Sequence, residues 1–212
     1  MVASPELWYC LPVITGRRIR LEPLALEHAA GYLAAAGPAE TAAEVFRWVN
    51  PAGAGDTPYP IDLPAAVRHI SHALAARARG ERLPYAQVDV VTGAVAGTTS
   101  LYEVSPGVRT LAIGHTWLGR DWWRTGHNTE SKLLLLTYAF DALGAVRVVW
   151  HTDIRNERSQ TAIARLGARR EGVLRKHRLR HDGSWRDTVL FAMTDEEWPA
   201  ARERLTQRLA AG

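Results

Sequence analysis

The chain has 212 residues, of which 47% are hydrophobic, and a formal net charge of +4. This length accommodates one large domain whose core needs no disulfide or metal for stability. A single cysteine, Cys10, excludes an internal disulfide and a thiolate metal cluster, and it favours a reducing, cytoplasmic location. No apolar run reaches about 18 residues, so we predict no membrane span. The positive charge is too small to indicate specific nucleic-acid binding.

The first half of the chain predicts one strand, then helices, then three strands. Alternating polar and apolar residues predict a strand at 17–24, and helices are expected at 26–36, 39–49 and 65–79. A proline-rich loop at 50–64 is a candidate lid or substrate wall. Strands are expected at 85–91, 94–104 and 109–118, joined as antiparallel hairpins by short turns. His69 and His72 have metal-compatible spacing on one helix, but no third ligand is evident, so we predict no metal.

The organising stretch of the sequence is 109–143, which predicts a buried strand, a loop at 119–127 and a buried helix at 128–143. Asn128 or Thr129 is the expected helix cap. The unpaired N–H groups of a first helical turn, together with the helix dipole, favour an anion. The sequence therefore predicts a phosphate-binding turn here. Lys132, one turn further, either reaches the same anion or is solvated.

The second half of the chain completes an α+β arrangement. A strand at 147–152 follows the organising helix, and this strand–helix–strand crossover implies a parallel pair. A helix beginning near Asn156 and ending at Gly167 is followed by strands at 168–180 and 185–193, and a capping box at 194–197 predicts a last helix to about 209. We predict one domain, 16–212, with a mostly antiparallel mixed sheet, a central parallel β-α-β crossover and helices on both faces. Residues 1–15 are treated as an N-terminal extension.

Three segments carry a resemblance to a known family. They are IGHTWLGRDWWRTGHNTESK at 113–132, Asn156-Glu157-Arg158-Ser159 with Leu166-Gly167-Ala168, and Glu171-Gly172-Val173-Leu174-Arg175 followed by Asp182-Gly183 and Arg186-Asp187-Thr188. Together with the order of elements, they resemble the GNAT superfamily of acyl-CoA-dependent N-acetyltransferases. Within it, the chain is similar to the RimJ/RimL-like branch of ribosomal-protein N-terminal acetyltransferases. The resemblance extends over about 16–198.

The resemblance implies acetyl-CoA as co-substrate. The family's pyrophosphate-cradling turn matches Arg124, Thr125, Gly126, His127, Asn128 and Thr129, although the second small residue of the family pattern is replaced by Asn or Thr. The backbone of Trp117 and Leu118 is expected to pair with the pantetheine arm as an added strand would. Asn156 matches the family's asparagine that contacts this arm, and it is also a good helix N-cap.

The resemblance also implies direct attack by the amine in a ternary complex, without a covalent nucleophile. The tyrosine that many members use to protonate the thiolate is Ile163 here, and Ser159 matches the serine of the ribosomal-protein branch. Ala112 replaces an acid that often precedes Ile-Gly in this branch. Glu103 and His115 remain as candidate bases, with Glu22 a weaker third, and a histidine with a pKa near 6.5 suits proton abstraction.

The predicted function is N-acetylation of a primary amine, either a protein N-terminus or a small molecule, by an enzyme that the resemblance suggests is a homodimer. The missing tyrosine and acid leave an alternative, namely a non-catalytic acyl-CoA-binding sensor or scaffold. A ribosome- or RNA-binding protein is a weaker third hypothesis, because no aromatic and basic RNA motif is present.

Overall fold

The computed structural model describes residues 3–49, 58–180 and 182–211, which contain eight strands and six α-helices. The strands are β1 (Ile14–Thr15), β2 (Ile19–Pro23), β3 (Arg82–Asp89), β4 (Val95–Ser105), β5 (Thr110–Leu118), β6 (Arg147–Asp153), β7 (Arg169–Leu179) and β8 (Trp185–Thr194). The helices are α1 (Ala29–Ala36), α2 (Ala39–Phe46), α3 (Leu63–Ala78), α4 (His127–Thr137), α5 (Glu157–Leu166) and α6 (Trp198–Ala210). Residues 50–57 of the predicted loop lie outside the described residues.

One mixed sheet holds all of these strands, in the order β1-β2-β3-β4-β5-β6-β8-β7. Only β5 and β6 run parallel among them, as the strand–helix–strand crossover predicts. Their pairing extends from Thr110 opposite Arg147 to Ala112 opposite Val149. Both strands then continue to Leu118 and Asp153 without pairing to each other. The sheet is therefore split between β5 and β6, and we call this split the β5–β6 opening.

Two hydrophobic cores confirm that helices cover both faces of the sheet. The larger core packs α4, α5 and α6 on one face, with Leu135, Ile163 and Leu205 among its buried side chains. The smaller core packs α1, α2 and α3 on the other face, where the rings of Phe46 and Trp117 pack at a tilt of 42° with their centroids 4.6 Å apart. Aromatic pairs at this separation add specific packing to the burial of apolar area.

The N-terminal segment belongs to the domain, whereas the sequence analysis sets 1–15 apart. Trp8 is 0% exposed and lies in the larger core. Thr15 and Ile14 form β1, which pairs antiparallel with β2. A fully buried tryptophan contributes strongly to a core, so the domain extends to this segment.

The start of α4 differs from the prediction. Gly126, with φ of 88°, is the N-cap, and no side-chain hydrogen bond caps the helix. The predicted capping by Asn128 or Thr129 is therefore wrong, because glycine adopts this left-handed conformation at no steric cost and the helix begins one residue earlier. The helix also ends earlier, in a π-turn at Tyr138–Ala142. The buried Glu130 carboxylate accepts hydrogen bonds from the backbone N–H groups of Arg17, Arg18 and Ile19.

Both ends of α5 confirm their predictions. Asn156 Oδ1 accepts a hydrogen bond from the Ser159 N–H at 3.1 Å, as an N-cap does. Gly167 follows the helix with φ of 103°, the left-handed conformation typical of a helix end. At the last helix, the Thr194 N–H donates to the Glu197 carboxylate at 2.9 Å, but α6 begins only at Trp198.

Candidate active site

Of the two β5 residues expected to pair with a ligand, Trp117 and Leu118, only Leu118 directs its backbone carbonyl to the β5–β6 opening. The carbonyl of Trp117 accepts from Gln87 Nε2 at 3.2 Å, and the Gly119 N–H donates to Ala96 of β4. Because strand residues alternate in direction, the Trp117 carbonyl points to β4 and Leu118 points to the opening. The Leu118 carbonyl already accepts from the Trp123 indole Nε1 at 2.8 Å. Only Leu118 is thus suited to pair with an added ligand, and Trp123 occupies its carbonyl.

The first turn of α4 is a candidate anion-binding site beside this opening. The N–H groups of His127, Asn128 and Thr129 have no acceptor within the helix, and the helix dipole favours negative charge at this end. Arg124 (φ 63°) and Gly126 (φ 88°) turn the chain into the helix. Arg18 is an unforeseen member, since its Nε lies 3.5 Å from the position that a Cβ on Gly126 would take. It is 108 residues away in sequence, so no local motif reveals it.

The side chains of Thr125 and His127 hold this turn in place. His127 is buried, and its Nε2 lies 2.9 Å from Asp89 Oδ2 at the end of β3, while its Nδ1 lies 2.8 Å from Thr125 Oγ1. Although burial opposes it, hydrogen bonds from Thr92 and His127 lower the pKa of Asp89 to about 2. A ligand at the turn would therefore meet the backbone of His127, since its ring is already engaged. Asn128 and Thr129 are half-buried in the same turn.

A cation–π contact joins the start of α5 to the loop before α4. The Arg158 guanidinium lies 4.1 Å from the ring centroid of Trp123, within the range of a favourable cation–π interaction. Asn156 and Ser159 are half-buried at the same end of α5. The two elements that were predicted to hold the cofactor are thus neighbours across Trp123.

A polar cluster that the sequence did not reveal lies on the face of the sheet that carries Tyr102, Gly114 and His151, which we call the Tyr102 face. The Tyr102 hydroxyl lies 2.9 Å from His151 Nδ1, just where β6 leaves β5. Glu103, a predicted base, joins this cluster: its side chain is 52% exposed, lies 3.9 Å from His151 and pairs with Arg178 of β7 at 3.6 Å. The pairing of β4 to β5 shifts register between Tyr102 and Ser105, which is why alternation alone could not position these residues.

His115, the other predicted base, lies in a bulge of β5 with φ of 48°. Its ring packs edge-on against Tyr102, with centroids 5.2 Å apart. Burial, together with the positive charges of Arg82 and Arg178, lowers the pKa of His115 to about 3. The expectation of a pKa near 6.5 for His115 is therefore wrong. His115 is neutral near pH 7 and a weak base. No contact joins Ser159 to this cluster in the described part of the chain.

Lys132 fits neither sequence expectation. It is only 4% exposed, and its Nζ donates at 2.8 Å to Thr99 Oγ1 of β4 and to Thr116 Oγ1 of β5. Burial lowers the pKa of its ammonium to about 7. The side chain lies on the face covered by α4, directly beneath the bulge at His115, so it supports β5 and does not reach an anion at the helix start.

Comparisons with known proteins identify the family. Residues 18–169 match the acetyltransferase (GNAT) domain family. The chain belongs to the GNAT acetyltransferase family. A GCN5-related N-acetyltransferase from Brucella melitensis has a solved structure that is 30% identical, covers 93% of this chain and 85% of its own, and superposes with a TM-score of 0.83. RimJ of Mycobacterium smegmatis, solved in complex with CoA-disulfide, shares the fold at 24% identity, 93% and 94% coverage, and a TM-score of 0.73.

Two curated relatives point to the ribosomal-protein branch. The first, YdaF of Bacillus subtilis (strain 168), is provisionally named a ribosomal N-acetyltransferase and is 30% identical over 106 residues. The second, the ribosomal protein uS5-alanine N-acetyltransferase of Escherichia coli (strain K12), is 32% identical over 85 residues. These matches span 50% and 40% of this chain, and 57% and 43% of the relatives' own lengths. The resemblance to RimJ/RimL-like proteins is thereby confirmed at the level of the family.

The described residues hold no group of three or more histidine, cysteine, aspartate or glutamate side chains arranged to bind a metal ion. Within 3–49, 58–180 and 182–211, no helix is both long enough and apolar enough to cross a membrane.

Proposed function

We propose that this protein is an acetyl-CoA-dependent N-acetyltransferase that transfers an acetyl group to a primary amine. The observation that carries the proposal is the β5–β6 opening, which is flanked by the free N–H groups at the start of α4 and ends at the Tyr102–His151 pair. Membership of the GNAT family and the CoA ligand of the RimJ neighbour support it.

The residues present fit coenzyme A. The first turn of α4, with Arg18 beside Gly126, offers backbone N–H groups and a guanidinium to a pyrophosphate. Leu118 has a carbonyl directed into the opening for an amide of the pantetheine arm, provided that the Trp123 indole moves away. When bound, acetyl-CoA supplies an activated thioester.

The chain's own residues then accept the proton of the amine and donate a proton to the leaving sulfur. The amine must first be deprotonated; its nitrogen forms a bond to the acetyl carbonyl carbon, the carbon–sulfur bond breaks, and the sulfur leaves with the electron pair and takes a proton. His151 and His115 are the bases nearest the opening, and burial also lowers the pKa of His151, although Glu103 opposes that shift. Tyr102, hydrogen-bonded to His151, and Ser159 are the candidate proton donors to the thiolate.

Calorimetric titration with acetyl-CoA tests the cofactor site. We expect micromolar binding by the wild type and at least about 10-fold weaker binding by Arg18→Gln, because a charge-assisted hydrogen bond is worth about 1.5–3 kcal/mol. Arg79→Gln is the matched control, since Arg79 is exposed on the far end of α3 and pairs with Glu81. An absence of binding, or equal affinity of the Arg18 variant and the control, would contradict the proposed site.

Steady release of free thiol with an amine acceptor separates the enzyme from the non-catalytic sensor. The enzyme requires thiol release that rises with acceptor concentration and an acetylated product of matching amount by mass spectrometry. Saturable acetyl-CoA binding with no turnover over a panel of peptides and small amines would favour the sensor. The homodimer and the cytoplasmic location stay predictions, and light scattering during size-exclusion chromatography measures the first.

A further inference from the structure

A small cavity lies between the sheet and helices α1–α3, beside the bulge at His115. Arg82, His72 and His115 line it, together with Tyr32 and Trp117. Its volume of about 30 Å³ is the room of roughly two water molecules. A group as small as a carboxylate fits this space, whereas an extended side chain would require the lining to move.

Arg82 brings a partly buried cation to this cavity without an ion-pair partner among the described residues. Its Nε donates to the Ser100 hydroxyl at 2.7 Å, and no carboxylate of the described residues lies within 4 Å. Burial lowers the pKa of Arg82 to about 10, so the guanidinium remains charged at neutral pH. Removing part of a charged group from water has a cost that pairing offsets, and four of the five guanidinium N–H donors remain available to a ligand.

Positive charges outnumber negative ones on this part of the Tyr102 face. Besides Arg82, Arg178 and Arg186 place positive charge near His115. Arg178 and Arg186 belong to the β7–β8 hairpin, and Arg186 Nε is buried without a hydrogen-bond partner in the described part of the chain. The acid in this cluster, Glu103, is half-exposed and already pairs with Arg178. The site therefore presents an excess of cations to whatever enters it.

We propose, on the basis of the acetyl transfer proposed above, that the acceptor is a primary amine that also carries a carboxylate. The carboxylate binds to Arg82 in the cavity, and the amine faces His115 and the β5–β6 opening. A guanidinium and a carboxylate form two parallel hydrogen bonds, which would complete the pairing of Arg82. A free α-amino acid and a peptide with an acidic residue near its N-terminus share this chemistry. The bonds formed and broken in the transfer are those given above.

Thiol-release kinetics with matched acceptors test this assignment. One arm compares α-amino acids with their amides, and the other compares peptide amides that carry Asp or Asn at the second position. In one of the two arms, we expect kcat/KM to be at least about 10-fold higher for the acceptor that carries the carboxylate. The arm that shows this preference tells whether the acceptor is a free α-amino acid or a peptide with an acidic residue. Arg82→Gln is expected to reduce that preference by about 10-fold or more, mainly by raising KM for the carboxylate-bearing acceptors. Its kcat/KM for the amides should change by less than about 3-fold. Arg82→Lys should retain part of the preference, and Arg79→Gln should retain all of it.

Three outcomes would overturn the assignment. One is equal use of acids and amides by the wild type, which needs no variant and so stands even if Arg82→Gln fails to fold. Another is a folded Arg82→Gln protein that loses activity equally on acids and amides, since that indicates a structural role. If no amine is acetylated at all, the proposed acetyl transfer is rejected, but the role of Arg82 in binding a carboxylate is still open to test. Calorimetry then compares the affinity of the wild type and of Arg82→Gln for the carboxylate-bearing amines. Equal affinities of the two proteins would reject the inference.

Discussion

Two proposed regions, one for the cofactor and one for the acceptor, meet at the bulge of β5, and they would recognise their ligands with different parts of the chain. The cofactor region consists of Leu118, the first turn of α4 and the start of α5, and its binding groups are mainly backbone N–H and C=O groups. The acceptor region consists of Arg82, Tyr102, His115, His151 and the β7–β8 hairpin, and its binding groups are side chains. The first region follows from the fold, whereas the second depends on the residues placed on it.

This difference explains why the two regions respond differently to sequence change. A backbone site tolerates substitutions that preserve the conformation of the chain, because every residue supplies the same N–H and C=O groups. A site of side chains changes specificity with a single substitution. The comparison predicts that variants that deform β5 affect the whole protein, while variants of the acceptor region alter which amine is used.

The largest effect on stability is expected where β4 approaches β5, the strand that carries Leu118. A Cβ on Gly97 would lie 2.1 Å from the Trp117 carbonyl oxygen, so Gly97→Ala must push β4 and β5 apart. We expect a loss of about 3 kcal/mol or more in the free energy of unfolding, measured by urea denaturation. Gly107→Ala is the control, because nothing lies within 4 Å of its added Cβ. Equal stability of the two variants would show that β5 does not depend on this approach.

The next effect concerns Lys132, which supports the bulge that separates the two regions. Its pKa of about 7 in the folded protein, against 10.5 ordinarily, means that the unfolded chain binds more protons between these pH values. Stability therefore rises with pH through this range, by about 1.4 kcal/mol per unit for a single group. We expect wild-type stability to rise by about 2–3 kcal/mol from pH 7 to pH 9 in urea denaturation.

Lys132→Met is the matched test of that slope. Met keeps the length of the side chain, and Thr99 and Thr116 still have each other, since their hydroxyl oxygens lie 2.8 Å apart. The variant should show a nearly flat profile between pH 7 and pH 9. A profile that keeps the wild-type slope would mean that another group titrates in this range.

The cofactor region was the more predictable of the two regions, and its residues explain why. The parallel crossover, the turn before α4 and the Asn156 cap all rest on local signals: a strand followed by a helix, a glycine in a tight turn and an asparagine before a helix. The errors there were also local. Gly126 is the cap where Asn128 or Thr129 was expected. The Trp117 carbonyl points to β4, whereas it was expected to face the cofactor.

The acceptor region could not be predicted in the same way, because its members come together only through the sheet. Tyr102 and His151 are 49 residues apart, and their contact depends on register shifts that no periodicity reveals. The environment of His115 was equally inaccessible, since its low pKa results from burial beside distant arginines. Arg82 had no sequence signal at all, since an arginine at the start of a strand is usually solvated.

A smaller effect is expected from the anchor of the phosphate-binding turn. Asp89→Ala removes the partner of His127 Nε2 and should weaken acetyl-CoA binding by about 10-fold in calorimetry, because the turn loses its fixed position. Thr92→Val is the control, since Thr92 bonds the other carboxylate oxygen of Asp89 and does not touch His127. If both variants bind as the wild type does, the position of the turn does not depend on the Asp89–His127 contact.

The smallest effect distinguishes a free backbone site from an occupied one. The Trp123 indole donates at 2.8 Å to the Leu118 carbonyl, the group that we propose for the cofactor arm. Trp123→Phe removes this N–H and keeps an aromatic ring for Arg158, so binding no longer has to displace a hydrogen bond worth about 1 kcal/mol. We therefore expect acetyl-CoA to bind about 3–5-fold more tightly to the variant, mostly through faster association. Arg158→Gln, which loses the cation but leaves the indole in place, should not show this gain. Weaker binding by Trp123→Phe would instead mean that the indole N–H contacts the cofactor, and that the cofactor region also recognises its ligand with a side chain.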